Sequence, residues 1–259
     1  MDAKTFIVGA LLVASVTLSS LALAGCEAQS GLNTAALVEL YTSEGCSSCP
    51  PADQQLSRIQ QVLGPAAVAV PLSLHVDYWD YIGWSDPYAQ VAFAKRQRWL
   101  VHANHEGVVY TPHFFIGGSE LRPWQTALRD EVGRLNAKPA QAQIRIEANL
   151  SQNDSLVLAA DATARGAGDR AQLYLAVAED GLVSKVTRGE NGGATLTHDH
   201  VVRAWIGPIP LAHGEVHTRR EIALPASWNR GQLEIVAFVE DEVSGKVLQA
   251  VGTPRCFHA

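Results

Sequence analysis

Residues 33–53 read NTAALVELYTSEGCSSCPPAD, and the order of features in this stretch decides the fold class. Ala35, Ala36, Leu37, Val38, Leu40 and Tyr41 form a nearly unbroken apolar run, with Glu39 as the exception. Such runs suit a central strand covered on both faces. Thr42-Ser43-Glu44-Gly45 then supplies a turn in which Glu44 reads as a solvated residue. Cys46 and Cys49 follow, two serines apart. Pro50-Pro51 opens a helix, because proline is tolerated in a first turn. Leu56, Ile59, Val62 and Leu63 recur at helical spacing until Gly64-Pro65.

Working outward, residues 67–76 read as a second apolar strand that ends in His75-Val76-Asp77-Tyr78-Trp79-Asp80. Asp86-Pro87 starts a helix that runs to about Asn104. Residues 108–116 read as a strand with Pro112 near its beginning, because proline cannot donate to a central ladder. Gly117-Gly118 is a hairpin signal. Pro123 to Asn136 carries Trp124, Leu128, Val132 and Leu135 on one helical face. Lys138-Pro139-Ala140-Gln141 reads as a linker. Beyond it Ile144, Ile146 and Ala148 alternate with polar residues, and several short runs are separated by glycine-rich turns. The expected architecture is an α/β domain over 31–138 followed by an all-β, sandwich-like domain over 140–256.

The chemistry centres on Cys46 and Cys49. Two thiols separated by two residues can close a small disulfide. Placed where a strand hands over to a helix, the first sulfur meets unpaired backbone N–H groups, which favours thiolate below the reference pKa of about 8.5. Cys46 is then expected to be the exposed attacking sulfur, with Cys49 resolving the mixed disulfide. Pro50 lacks the N–H that would close a turn back to Cys46, so the helix starts at Pro50 or Pro51. That leaves Cys46 on a preceding turn.

Residues 107–118, GVVYTPHFFIGG, resemble the thioredoxin segment that carries a cis-proline, a core strand and a glycine turn. The resemblance implies that Pro112 packs against the disulfide and that Thr111 offers backbone hydrogen bonds to a bound peptide. Residues 38–53, 75–80, 187–193 and 198–203 together resemble a bacterial family of secreted, thioredoxin-like proteins of unknown function. That resemblance spans nearly all of residues 33–251. It implies a thioredoxin-like fold for the first domain and export, but no established reaction.

Other readings of these residues stay open. The cysteine pair is also consistent with a structural disulfide in a non-catalytic binding module. It is equally consistent with a Cu(I) site or metallochaperone in which His75 or His113 joins two thiolates. His75 and Asp77 are candidates for proton transfer or metal ligation near the disulfide. His198-Asp199-His200 places two histidines on one face of a strand, as zinc ligands can be, although no third ligand is evident nearby and a strand or hairpin edge that packs or contacts the other domain is the favoured reading. Disulfide exchange requires no cofactor, and its partners are protein thiols and disulfides.

The chain of 259 residues carries a net charge of −6 and no basic run, which argues against a nucleic-acid partner. Residues 1–25 read as a signal peptide. Leu23-Ala24-Gly25-Cys26 resembles a bacterial lipobox, which implies lipidation of Cys26 and a membrane anchor facing the periplasm, with soluble secretion as the alternative. Cys256 is then left as an odd thiol.

Overall fold

The structure is a computed structural model that describes every residue except 2–24, 152, 167, 256 and 258–259. The expected signal segment and Cys256 therefore lie outside the described residues, apart from Met1 and Gly25. The strands and helices run in the order β1 Gly25–Gln29, β2 Ala36–Thr42, α1 Pro50–Ser57, α2 Ile59–Leu63, β3 Ala69–His75, α3 Val91–Ala103, β4 His113–Ile116, β5 Ser119–Glu120 and α4 Trp124–Asn136. There follow β6 Ala142–Leu150, β7 Ser155–Ala164, β8 Ala171–Glu179, β9 Leu182–Lys185, β10 Thr195–His198, β11 Val201–Pro210, β12 Glu215–Ala223, β13 Leu233–Asp241 and β14 Val247–Gly252.

The expectation of a thioredoxin-like α/β domain followed in series by an all-β sandwich-like domain is corrected by the sheet topology. Strands dominate, and one eight-stranded mixed sheet, ordered β14-β13-β8-β11-β3-β2-β4-β5, draws from both halves of the chain. The join is at β3. Val201 of β11 pairs in parallel with Ser73, and the Ser73 N–H donates to His200 O at 2.8 Å. An open strand edge is a template for pairing, and here β11 covers the edge of β3 left by the β2–β3 pair.

The packing follows from which side chains each strand sends to each face. On one face a continuous core runs along the sheet, with Leu37 and Tyr41 of β2, Leu72 and Leu74 of β3, and Ala176 and Phe238 beyond the join, all against Phe93 and Leu100 of α3. The other face is divided. Leu56, Leu128 and Val132 of α1 and α4 cover Val38, Leu40 and Phe114. A four-stranded antiparallel sheet, ordered β1-β6-β7-β12, covers Leu173, Leu175 and Ile235. Its strand β6 alternates buried and exposed residues as expected for a sheet with one wet face.

Glu39, the polar exception in β2, has its explanation in this join. Arg96 of α3 bonds Glu39 through Nε at 2.6 Å and Glu240 of β13 through Nη2 at 2.9 Å. Its guanidinium also lies 5.0 Å from the ring centres of Tyr174 and Phe238. A buried charge needs such partners, and these come from both halves of the chain.

Candidate functional site

The site forms where β2 and β3 end and α1 begins. Cys46 and Cys49 are joined in a disulfide with Cα atoms 5.4 Å apart. Cys49 is the N-cap of α1, whose first residues are the two prolines. Cys46 stands in the turn before the helix, with its N–H bonded to Ser43 O at 3.1 Å. The prolines thus set the helix start as the sequence suggests. The expectation that Cys46 is an exposed sulfur is corrected: Cys46 is 1% and Cys49 0% exposed. Ser47 and Ser48 between them are exposed, and the Ser48 hydroxyl donates to Cys46 Sγ at 3.4 Å.

The distant loop between β9 and β10 is bonded to this turn. Glu190 Oε2 accepts the Ser47 N–H at 3.0 Å. Asn191 Nδ2 donates to Glu44 O at 2.8 Å and to Cys46 O at 3.0 Å. The hydrogen bond from Ser47 holds the Glu190 carboxyl below its ordinary pKa. Gly189, with φ of 75°, lets the loop sit close to Ile82.

Thr111-Pro112 approaches from another side. Its peptide bond is cis, and Pro112 immediately precedes β4. Trp79 Nε1 donates to Thr111 Oγ1 at 2.8 Å. The Trp79 Cβ also lies 2.9 Å from where a side chain at Gly45 would begin, so glycine is required there. Trp79 therefore connects Thr111 to the turn that carries Cys46.

Beneath the motif lies a buried polar cluster. Glu44, read as a solvated turn residue, is 0% exposed. Its carboxylate accepts from Trp84 Nε1 at 2.8 Å and from His198 Nε2 at 3.1 Å. His75 Nδ1 donates to Asp86 Oδ2 at 2.7 Å, and the same oxygen accepts the Glu44 N–H at 2.9 Å. Burial alone would lower the His75 pKa, but the adjacent Asp86 carboxylate outweighs it and the net direction is up. The His75 and His198 rings stand edge to face, 4.9 Å between centres. Asp53 of α1, 4.0 Å from His198 Nδ1, is pushed up in pKa by burial.

The candidate residues are thus partly assembled. Cys46 and Cys49 share the disulfide, His75 lies in the cluster with Asp86 and Glu44, and Thr111 is tied to the Cys46 turn through Trp79, while Pro112 is placed as the cis residue before β4. Asp77 opens a 3-10 turn, and the carboxylate held by His75 is that of Asp86 instead. His113 belongs to a different network, bonded to Gln97 at 3.1 Å and Glu120 at 3.0 Å. His198 and His200 do not share a face. His200 has φ of 59°, which turns the chain and sends its ring to Glu234 at 3.0 Å. Cys26 lies in β1, 5% exposed, and its sulfur is engaged in a disulfide. Asp53, Asp86, Glu190 and Asn191 escaped the sequence reading as site residues. The segments 187–193 and 198–203, which carry the family resemblance far from the cysteines, were the available signal for the last two.

Residues 37–240 match the family described as "Protein of unknown function (DUF1223)". Two solved structures share the fold. A crystal structure of a protein from Agrobacterium tumefaciens is 23% identical with a TM-score of 0.61, covering 88% of this chain and 97% of that one. HBP35 of Porphyromonas gingivalis is 15% identical with a TM-score of 0.68, covering 89% of this chain and 77% of that one. No curated protein matches the chain.

Proposed function

The chain belongs to the DUF1223 family of proteins of unknown function, and we propose that it is an exported protein that exchanges disulfides with protein thiols through Cys46 and Cys49. The observation that carries this reading is the pair itself. It is a disulfide of sequence separation 3 at the start of a helix, under a loop held by a few hydrogen bonds. A bridge across so short a loop constrains the unfolded chain little, which favours a chemical role over a structural one.

In the exchange, a substrate thiolate attacks Cys46 Sγ, the Cys46–Cys49 bond breaks, and Cys49 leaves as a thiolate that takes up a proton. The mixed disulfide between substrate and Cys46 is then cleaved by the substrate's second thiol. The substrate ends as a disulfide and the protein as a dithiol; the reverse sequence oxidises the protein. Thr111 and Pro112 orient the substrate backbone. The loop carrying Glu190 and Asn191 must swing away for the sulfur to be reached.

Disulfides persist in oxidising compartments, which supports export. A disulfide and a lipid thioether exclude one another on the Cys26 sulfur. The disulfide-bonded form described here fits a soluble exported protein better than an anchored one.

The test is a redox titration of the purified protein in defined dithiol buffers, with mass-tagging of free thiols. Cys46 and Cys49 should become tagged together at one midpoint potential, and Cys46→Ser should abolish disulfide transfer to a reduced model peptide. A pair that stays untagged at every accessible potential ends the proposal.

A further inference from the structure

A single apolar side chain on a protein surface needs no explanation, but Tyr81 is held in place for one. It is 82% exposed, yet its ring lies nearly parallel to that of Trp79, 6.5 Å between centres and 16° between planes. This is the offset stacking that aromatic pairs prefer. Both residues belong to the 3-10 turn Asp77–Ile82. Asp80 fixes the end of that turn, its O accepting the Gly83 N–H and its Oδ1 the Asp86 N–H. The Tyr81 ring is therefore presented to solvent in a set pose.

It is presented beside the redox pair. Trp79 donates to Thr111 Oγ1, and its Cβ abuts Gly45, the residue before Cys46. Trp79 thus stands in the middle of a row, with Thr111 on one side and Tyr81 on the other, and the row rests on the disulfide turn.

The chain that leads into Thr111 is open. Residues 107–110 have no regular structure, and among the described residues 107–111 make no backbone–backbone hydrogen bond. Tyr110 O accepts from the Gln97 side chain at 2.8 Å. Val108 and Val109 in this stretch are 59% and 36% exposed. A main chain with unused donors and acceptors is a template for another main chain. In such pairing, backbone bonds supply affinity and side-chain contacts supply selectivity.

The chemistry of the occupant follows. A folded partner keeps its main chain bonded internally and most of its large apolar side chains buried. A reduced, non-native polypeptide offers both. A tyrosine already fixed in position gives it contact area at little cost in conformational entropy.

We propose that Tyr81, backed by Trp79, is a specificity-determining residue that receives the apolar side chain flanking the reacting cysteine of a non-native polypeptide, whose main chain lies along residues 107–111. The proposal rests on the disulfide exchange proposed above and names its substrate class. It adds no covalent step: docking places the substrate thiolate for its attack on Cys46 Sγ.

The test uses the full chain, oxidised at Cys46 and Cys49, and two reduced model peptides. Each peptide carries two cysteines, and they differ only in whether leucine or serine flanks the first. Disulfide transfer is followed by thiol tagging, and each rate is divided by the same protein's rate with dithiothreitol, which has no side chain to dock. The leucine peptide should react about 10-fold faster than the serine peptide, as expected for partial burial of one large apolar side chain. Tyr81→Ser should remove that preference and Tyr81→Phe should keep it, because the ring carries the contact. Val243→Ser, which alters another exposed valine on the turn between β13 and β14, should also keep it.

The proposal is overturned if wild-type protein shows no preference, if Tyr81→Ser retains it, or if Tyr81→Phe loses it. A protein that reacts with dithiothreitol but does not distinguish the peptides overturns the docking proposal alone. One that reacts with neither dithiothreitol nor peptide overturns the exchange reading as well. The wild-type preference is measured without any variant, so the proposal can fail even where a variant does not fold.

Discussion

Glu190 accepts a hydrogen bond from the backbone of Ser47, the residue beside the first cysteine, at 3.0 Å. Together with Asn191 on Cys46 O, it anchors the loop between β9 and β10 on the turn that carries the disulfide. The turn of the motif is thus held from the opposite half of the chain.

If the loop gates the disulfide, loosening it should speed reduction. Asn191→Ala removes the two bonds to Glu44 O and Cys46 O. The rate of disulfide reduction by a small dithiol, followed by thiol tagging, should increase several-fold. The unfolding midpoint should change little, because Asn191 is only half-buried. An unchanged rate would mean that the loop opens freely already.

The buried Arg96 bridge should be essential to the joined sheet. Arg96→Met leaves Glu39 and Glu240 buried without their cation, and breaking such a pair costs about 3–5 kcal/mol. Chemical denaturation should show that loss. Adding Glu39→Gln and Glu240→Gln to the same chain should recover part of it, since the stranded charges are then gone.

Acid should weaken the protein through His113. Burial lowers its pKa to about 4. The unfolded chain therefore binds this proton from about pH 6.5 downward, whereas the folded chain binds it only near pH 4. Stability is complete above about pH 6.5, falls as pH drops towards 4 and levels off below, by on the order of 1–3 kcal/mol after solvent screening. Glu120 acts in the same direction at lower pH. Burial opposes it, but hydrogen bonds from Tyr110 and Arg122 hold its carboxyl below the ordinary range. Urea midpoints at pH 7 and pH 4.5 should differ, and His113→Gln should flatten that difference.

Much of the local structure was legible in the sequence. The apolar run before Cys46 is β2, the prolines do begin α1, and Trp124, Leu128, Val132 and Leu135 do form the inner face of α4. The fold class was not legible, because it depends on one strand from the second half docking beside β3. A clue was present in β8: AQLYLAVAE is apolar almost continuously instead of alternating, the mark of a strand covered on both faces. Glu44 shows why the site was harder. Its neighbours in sequence are turn residues, whereas the groups that bury it, His198 and Trp84, come from elsewhere. Nothing local distinguishes it from a solvated acid. The Asp86-Pro87 pair misled for a similar reason. Asp86 serves His75, and α3 begins only at Val91.

The distance along the chain between the motif and the loop bonded to it has a consequence for biogenesis. Ser47 and Glu190 are 143 residues apart, and Glu44 and His198 are 154 apart. At synthesis rates of about 5–20 residues per second, the cysteines precede the loop by roughly 7–30 s. During that interval the growing polypeptide carries both thiols without the loop that later bonds their turn. The turn of the motif therefore acquires its long-range hydrogen bonds only once residues 190–198 have been made, and the site is completed from the second half of the chain.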